Sequence, residues 1–168
     1  NPDKLDVVWG CDRYEYTLLG DGTYSIKAKV GATIPNDVII PSTAYGRVVA
    51  HIGEDAFSGY TNITSVTLPD SIITIGDYAF ANCSMLGTVN IGENSQLTSI
   101  GMEAFYEVTE IVTMFLPNSL KTIGDSAFAL SSIETLAIPD NVTSIGYEAF
   151  YESNLRQITF GANSKLSI

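Results

Sequence analysis

Very few side chains in this sequence have the chemistry that catalysis or metal binding requires. The chain has one histidine, His51, and two cysteines, Cys11 and Cys83. A catalytic histidine needs a nucleophile or a carboxylate held beside it, and the sequence contains no Gly-x-Ser-x-Gly or comparable nucleophile motif. Two isolated cysteines and one histidine also form no zinc-binding pattern. We therefore predict a non-enzymatic protein with no cofactor and no bound metal, and we interpret His51 as an outward polar residue.

The two cysteines have two interpretations. Cys83 occupies the place that Tyr60 and Val108 occupy in neighbouring segments, and this apolar register favours a buried free thiol. The alternative is a disulfide between Cys11 and Cys83 in an oxidising compartment, although nothing in the sequence brings the two sulfur atoms together.

Carboxylates recur inside a repeated hexapeptide, Ile-Gly-x-x-Ala-Phe. They are Glu54, Asp55, Asp77, Glu103, Asp125 and Glu148. Aligned carboxylates are potential Ca²⁺ ligands, but no Asp-x-Asp-x-Asp-Gly loop is present. We favour a structural role, in which an Asp after Ile-Gly caps a short helical turn that ends in Ala-Phe.

The composition argues against several classes of function. Eight basic and nineteen acidic residues among 168 give a net charge of −11, which repels nucleic-acid phosphates and anionic lipid headgroups. No apolar run is long enough to span a bilayer, so we expect no nucleic-acid binding and no membrane insertion by this segment. With 45% hydrophobic and 16% charged residues, the chain is expected to fold.

The hexapeptide marks an internal repeat. It occurs five times, at residues 52–57, 75–80, 100–105, 123–128 and 145–150. Subtraction of the Phe positions 57, 80, 105, 128 and 150 gives spacings of 23, 25, 23 and 22. Each copy is followed by the pattern apolar-x-x-apolar-x-apolar, which ends in the period-two alternation of a short strand. Such segments cannot bury their apolar side alone, so we predict stacked parallel strands that share one core, with the five phenylalanine rings lined up in a row beneath them.

The two ends of the array differ. Residues 1–33 do not repeat, and the alternating Tyr14–Leu18 and Tyr24–Val30 around Gly20-Asp21-Gly22 predict a β-hairpin that caps the core. Residues 161–166 match residues 92–97, and on this alignment the next Ile-Gly would begin at position 169. We therefore expect the repeat array to continue, with residues 34–168 forming five to six turns of it.

The repeat resembles the leucine-rich repeats, whose pattern Leu-x-x-Leu-x-Leu-x-x-Asn is met by Leu86-x-x-Val89-x-Ile91-x-x-Asn94. With its Ile-Gly-x-x-Ala-Phe step it is similar to the BspA-like leucine-rich-repeat family of bacterial surface proteins. The resemblance implies an α/β right-handed solenoid, with one parallel strand, a short return strand and a helical turn in each repeat. It also implies an extracellular or cell-surface location and no catalytic residues.

We expect any binding site to lie on the concave strand face, where side chains between the buried positions point outward. One predicted outward column is Asp37, Ser65, Thr88, Thr113, Thr135 and Gln157, and the other is Ile39, Thr67, Asn90, Phe115, Ala137 and Thr159. Phe115 is a potential contact anchor because it is aromatic among small polar neighbours. The favoured function is recognition or adhesion through an extracellular protein or glycan, and the alternative is a passive spacer or scaffold within a longer surface protein.

Overall fold

The computed structural model describes residues 13–166. This part of the chain contains thirteen β-strands and no helix. The strands are β1 (Tyr14–Leu18), β2 (Tyr24–Ala28), β3 (Asp37–Ile39), β4 (Thr43–Ala44), β5 (Arg47–Ile52), β6 (Ser65–Leu68), β7 (Thr74–Ile75), β8 (Thr88–Ile91), β9 (Ser99–Ile100), β10 (Thr122–Ile123), β11 (Thr135–Ile138), β12 (Ser144–Ile145) and β13 (Gln157–Phe160).

The strands form a solenoid of about six turns, here called coils. One side, the strand face, consists of β3-β6-β8, residues 112–116 and β11-β13. The other side, the return sheet, has the order β2-β5-β7-β9-β10-β12. Neighbouring strands from successive coils are parallel on both sides. The predicted stack of parallel strands is therefore confirmed.

The hexapeptide phenylalanines form a continuous stack through the core. The ring centroids of successive residues lie 5.4, 5.4, 5.2 and 5.7 Å apart from Phe57 to Phe150, with interplanar angles of 4–14°. The rings of Phe57, Phe80, Phe105 and Phe128 are fully buried. Burial of a phenylalanine side chain contributes about 2–3 kcal/mol, so this row is a major part of the hydrophobic core.

The predicted helical turns are wrong, and with them the α/β class, because the protein is a β-solenoid. Helical turns need N–H groups that bond to carbonyls four residues earlier in the same coil. Here the N–H groups of Asp55, Phe57 and Gly59 donate to carbonyl oxygens of the next coil at 2.7–2.9 Å. The residues two before and two after each Phe also have left-handed backbone geometry, with φ of 48–59° at the non-glycine positions. These turns therefore extend the ladder between coils.

Two acidic residues of the turns also form hydrogen bonds between coils. Asp77 and Asp125 were expected to cap helical turns, but their Oδ1 atoms accept hydrogen bonds from Met102 N and Tyr147 N of the next coil, at 2.7 Å in both cases. Charge-assisted hydrogen bonds of this kind are stronger than neutral ones. These two carboxylates therefore join adjacent coils.

The glycine of the hexapeptide allows the coils to approach closely. A Cβ atom added to Gly76 would lie 2.8 Å from the carbonyl oxygen of Ile52, and one added to Gly124 would lie 2.6 Å from the carbonyl carbon of Gly101. Any larger residue would push adjacent backbones apart, which explains why Gly follows Ile in every copy.

The N-terminal hairpin continues the return sheet. Strands β1 and β2 pair in antiparallel fashion, as predicted, and β2 pairs with β5 in parallel. The ring of Tyr14 contacts Phe57 edge-on, with centroids 6.1 Å apart, so the hairpin covers the first ring of the phenylalanine stack. Arg47 Nη1 donates a 3.2 Å hydrogen bond to Gly22 O at the hairpin turn. The boundary between a cap at 1–33 and a solenoid at 34–168 stays a prediction, since residues 1–12 lie outside the described part.

Candidate functional site

The strand face carries the outward residues that the sequence analysis singled out. Ser65 and Thr67 are half-buried, and the others are exposed: Asp37, Ile39, Thr88, Asn90, Thr113, Phe115, Thr135, Ala137, Gln157 and Thr159. Parallel pairing places equivalent residues side by side, as in Thr135↔Gln157 and Ala137↔Thr159. A role in binding for these residues remains a prediction.

The N-terminal part of the strand face is connected by its own hydrogen bonds. Ser65 Oγ donates to Asp37 Oδ1 at 2.7 Å, and Asn90 Nδ2 donates to Thr67 Oγ1 at 3.1 Å. These bonds run between side chains of adjacent coils. The polar groups of β3, β6 and β8 thus partly satisfy one another.

The C-terminal part of the strand face contains a groove of about 830 Å³. Six of the predicted outward residues line it, namely Thr113, Phe115, Thr135, Ala137, Gln157 and Thr159. Their neighbours include Asn118 and Phe160. The groove therefore unites the second half of the predicted set and leaves out the first half, which is Asp37, Ile39, Ser65, Thr67, Thr88 and Asn90. We call it the strand-face groove.

Two phenylalanines give this groove apolar walls. Phe115 is 49% exposed and Phe160 is 48% exposed, while the small side chain of Ala137 keeps the floor open. Sequence alternation does not predict the exposure of Phe160, because its register, beside Ile138, is buried or half-buried in the other coils. In the described part of the chain β13 has a strand neighbour on one side only. This position at the end of the array is the signal that predicts its exposure.

The groove begins where the strand face is interrupted. Residues 112–116 form no strand, and their ladder contact is the isolated bridge from Thr113 to Thr135 of β11. Within residues 13–166, β8 pairs with β6 and with no strand of the following coil. The coil before the interruption has two or three extra residues, since Phe80 and Phe105 are 25 positions apart and the other neighbouring phenylalanines are 22 or 23 apart. Phe115 therefore lies beside a break in the sheet.

His51 lies against the N-terminal hairpin. Its Nδ1 is 2.7 Å from Thr74 Oγ1, its Nε2 is 3.8 Å from Asp21 Oδ2, and its side chain is 19% exposed. His51, which we interpreted as an outward polar residue, is therefore half-buried. The pKa of Asp21 is lowered, mainly by hydrogen bonds from Thr23 and to a smaller extent by His51. A histidine, a carboxylate and a hydroxyl group therefore lie close together here. They lie on the regular return sheet, where Thr74 is followed by the buried Ile75. Neither the strand-face groove nor the second groove described below includes them.

Cys83 is a buried free thiol, as predicted. Its Sγ donates a 3.0 Å hydrogen bond to Phe57 O, and burial raises its pKa to about 12. A thiol that stays protonated is a poor nucleophile and a poor metal ligand. Cys11, the other partner of the alternative disulfide, lies outside the described residues.

The edge formed by the turns is acidic and aromatic. Glu103 and other nearby carboxylates raise the pKa of Tyr78, and a hydrogen bond to Glu152 raises that of Tyr151. Between residues 13 and 166, no group of three or more His, Cys, Asp or Glu side chains has the geometry to hold a metal ion. The carboxylates of the repeat therefore form no cation site in this part of the chain.

The fold and the repeat define the class of this protein, a leucine-rich-repeat solenoid. A model of the BspA type leucine rich repeat region matches residues 50–167 in six copies. Because this match covers more than half of the 168 residues, the chain belongs to the BspA-type leucine-rich-repeat family.

Solved structures of bacterial proteins agree with this assignment. A leucine rich repeat protein of T. pallidum is 28% identical over 86% of this chain and 67% of its own length, with a TM-score of 0.79. One from Bacteroides ovatus is 29% identical over 92% of this chain and 45% of its own, with a TM-score of 0.75. A leucine rich cell surface protein of Faecalibacterium prausnitzii is 28% identical over 90% of this chain and 53% of its own, with a TM-score of 0.53.

The chain spans only part of each of these proteins. A search of curated proteins returned no match. Across residues 13–166, no helix has the length and apolarity that a membrane crossing requires.

Proposed function

We propose that this chain is a non-enzymatic recognition module that acts outside the cell or at its surface, where it binds a protein or glycan of a host or neighbouring cell. The observation that carries the proposal is the strand-face groove, with Phe115 exposed at its rim. Exposed aromatic side chains that insert into a pocket of a partner often contribute a large part of the binding energy. The cell-surface name of the Faecalibacterium relative supports the location.

The groove also suits a partner with mixed chemistry. Thr113, Thr135, Gln157 and Thr159 offer hydroxyl and amide groups beside the two aromatic walls. Such pockets, mostly apolar with a few polar groups that fix orientation, are typical of ligand sites. The absence of charged side chains from the lining favours a neutral or apolar contact rather than an ionic one.

The test compares two exposed hydrophobic residues in the same outward column. Phe115→Ala is expected to weaken binding to intact host cells or matrix proteins about ten-fold or more, as is typical for loss of an aromatic anchor. Ile39→Ala is the matched control, because Ile39 is 72% exposed at the other end of the strand face and outside the groove. Equal effects of the two substitutions would contradict the proposal.

A spacer function is the alternative, and the continuous phenylalanine stack with its unbroken return sheet favours it. Such a regular core is suited to a stiff connection between other domains. A spacer would show no saturable binding to cells, proteins or glycan arrays, and Phe115→Ala would then have no effect on any of them.

A further inference from the structure

A second groove, of about 590 Å³, lies on the flank where the chain enters the return strands. Thr98, Lys121 and Thr143 line it, each directly before a return strand, β9, β10 and β12 respectively. Ser119, Asn141 and Lys165 form a neighbouring row. We call it the lysine groove. It shares no lining residue with the strand-face groove.

We propose that the lysine groove binds a sugar that carries a carboxylate, such as a uronic acid unit of an acidic polysaccharide. The site is independent of the strand-face groove and needs no partner there.

The first argument is electrostatic. The chain has a net charge of −11, yet no Asp or Glu lines this groove. Within residues 13–166 the ion pairs involve His51 and Arg156, and neither lysine takes part in one. Lys165 Nζ donates to Asn141 Oδ1 at 2.6 Å, which leaves further donor capacity on its ammonium group. Two cations without a carboxylate partner therefore face one groove.

The second argument concerns the hydroxyl groups between the lysines. Thr98 Oγ1 donates to Ile73 O at 3.1 Å and Thr143 Oγ1 to Lys121 O at 3.3 Å, and the proton of Ser119 Oγ lies between Ser95 O at 2.7 Å and Leu97 O at 2.8 Å. A hydroxyl has one proton and two lone pairs. Because the protons point to backbone carbonyls, these oxygens present lone pairs, which accept hydrogen bonds from a ligand.

The lysine ammonium groups and the hydroxyl oxygens together indicate which class of ligand the groove binds. A bare anion would pair with the lysines but meet lone pairs at the three hydroxyl oxygens. A sugar acid supplies a carboxylate for the ammonium groups and hydroxyl donors for those oxygens. A single-stranded nucleic acid would need aromatic platforms for its bases, and no aromatic side chain lines this groove.

The geometry also fits a chain of sugars rather than a single small acid. Lys121 and Lys165 belong to coils two apart, with Asn141 and Thr143 between them. Successive coils are about 4.8 Å apart, so the two lysine backbones are separated by about 10 Å along the stack. One ligand that reaches both must therefore be extended along the solenoid axis.

The experiment titrates the protein with oligogalacturonate at low salt by calorimetry. The matched probe is the methyl ester of the same oligosaccharide, which keeps the hydroxyls and removes the charge. We expect saturable binding of the acid and at least ten-fold weaker binding of the ester. Lys121→Gln and Lys165→Gln should each weaken the acid's binding about five-fold, and added salt should weaken it further.

Two further variants separate the site from its surroundings. Lys29→Gln removes an exposed cation of the same charge from the hairpin cap and should leave the affinity unchanged. Thr98→Val removes one hydroxyl acceptor and should weaken oligogalacturonate about three-fold. Phe115→Ala should have no effect on this binding, whatever it does to the strand-face partner.

Four results would each overturn the proposal. They are equal binding of the acid and its ester, an effect of Lys29→Gln as large as that of Lys121→Gln, binding of inorganic sulfate as tight as that of the sugar acid, and equally tight binding of a polyglutamate peptide. Measurement of the denaturation midpoint of every variant distinguishes a loss of binding from a loss of folding.

Discussion

The return sheet and the strand face are made by the same coils but differ in regularity. The return sheet is continuous from β2 to β12. The strand face is divided into β3-β6-β8 and β11-β13, with a single bridge at Thr113 between residues 112–116 and β11. The coils thus stay in register on one side while the other side breaks.

The difference follows from what each side must bury. The hexapeptide places the same Ile, Gly, Ala and Phe in five successive coils, and close packing tolerates little change there. The outward residues of the strand face bury little and vary freely, from Thr67 to Asn90 to Phe115. Regular packing therefore stabilises the solenoid, and the variable side is where distinct surfaces such as the strand-face groove arise.

The largest effect is expected when the phenylalanine stack is interrupted. Phe105→Ala removes a fully buried ring that stacks on Phe80 and Phe128 at 5.4 and 5.2 Å. It should lower the free energy of unfolding by about 3–5 kcal/mol. Phe115→Ala, on the exposed strand face, should lower it by no more than about 0.5 kcal/mol. Urea denaturation of both variants tests the contrast, which fails if the two losses are equal.

A smaller effect is expected from glycine substitutions on the two sides. Gly124→Ala places a Cβ 2.6 Å from the Gly101 carbonyl carbon, and this overpacking should cost about 1–3 kcal/mol. Gly87→Ala, directly before β8 on the strand face, has its nearest contact at 3.6 Å and should be tolerated. Thermal denaturation compares them. A Gly87 variant that is the less stable of the two would show that the strand face is the tighter side.

The smallest effect concerns the turn between the stack and β8, where Cys83 is buried. The folded-state pKa of about 12 exceeds the ordinary value of 9.0, so the folded protein keeps a proton that the unfolded chain releases. Its contribution to stability is complete below pH 9 and decreases as the pH rises toward 12, by about 1 kcal/mol at pH 10. Cys83→Ala, compared with its parent in a Cys11→Ser background, should lose less stability between pH 7 and 10. Equal losses would mean that the thiol is accessible to water.

Sequence periodicity predicted the main elements of this fold but not the conformation of its turns. The recurrence of Phe57, Phe80 and their equivalents predicted a row of rings, because identical residues at one period occupy equivalent places in stacked coils. The helical turns were wrong because local residue preferences contain no information on hydrogen bonds to a neighbouring coil. The left-handed conformation of Tyr78 and Leu130, residue types that rarely adopt it, could not be read from propensity.

The candidate sites show the same division. Alternation identified Phe115 as outward, because side chains on a strand alternate between faces. It did not identify Phe160, whose exposure depends on its place at the end of the array, or the contact of His51 with Asp21 across 30 residues of chain.

By itself, the amino-acid sequence determined the repeat, the parallel stacking, the buried row of phenylalanines and the cap hairpin. These properties depend on period and polarity, which a linear chain displays directly. Only the tertiary structure decided the path of the turns, the break beside Thr113 and the meeting of Lys121 with Lys165 in one groove. Such features depend on hydrogen bonds and distances between coils. Residues more than twenty positions apart in the sequence come close to one another only when the chain has folded into the solenoid.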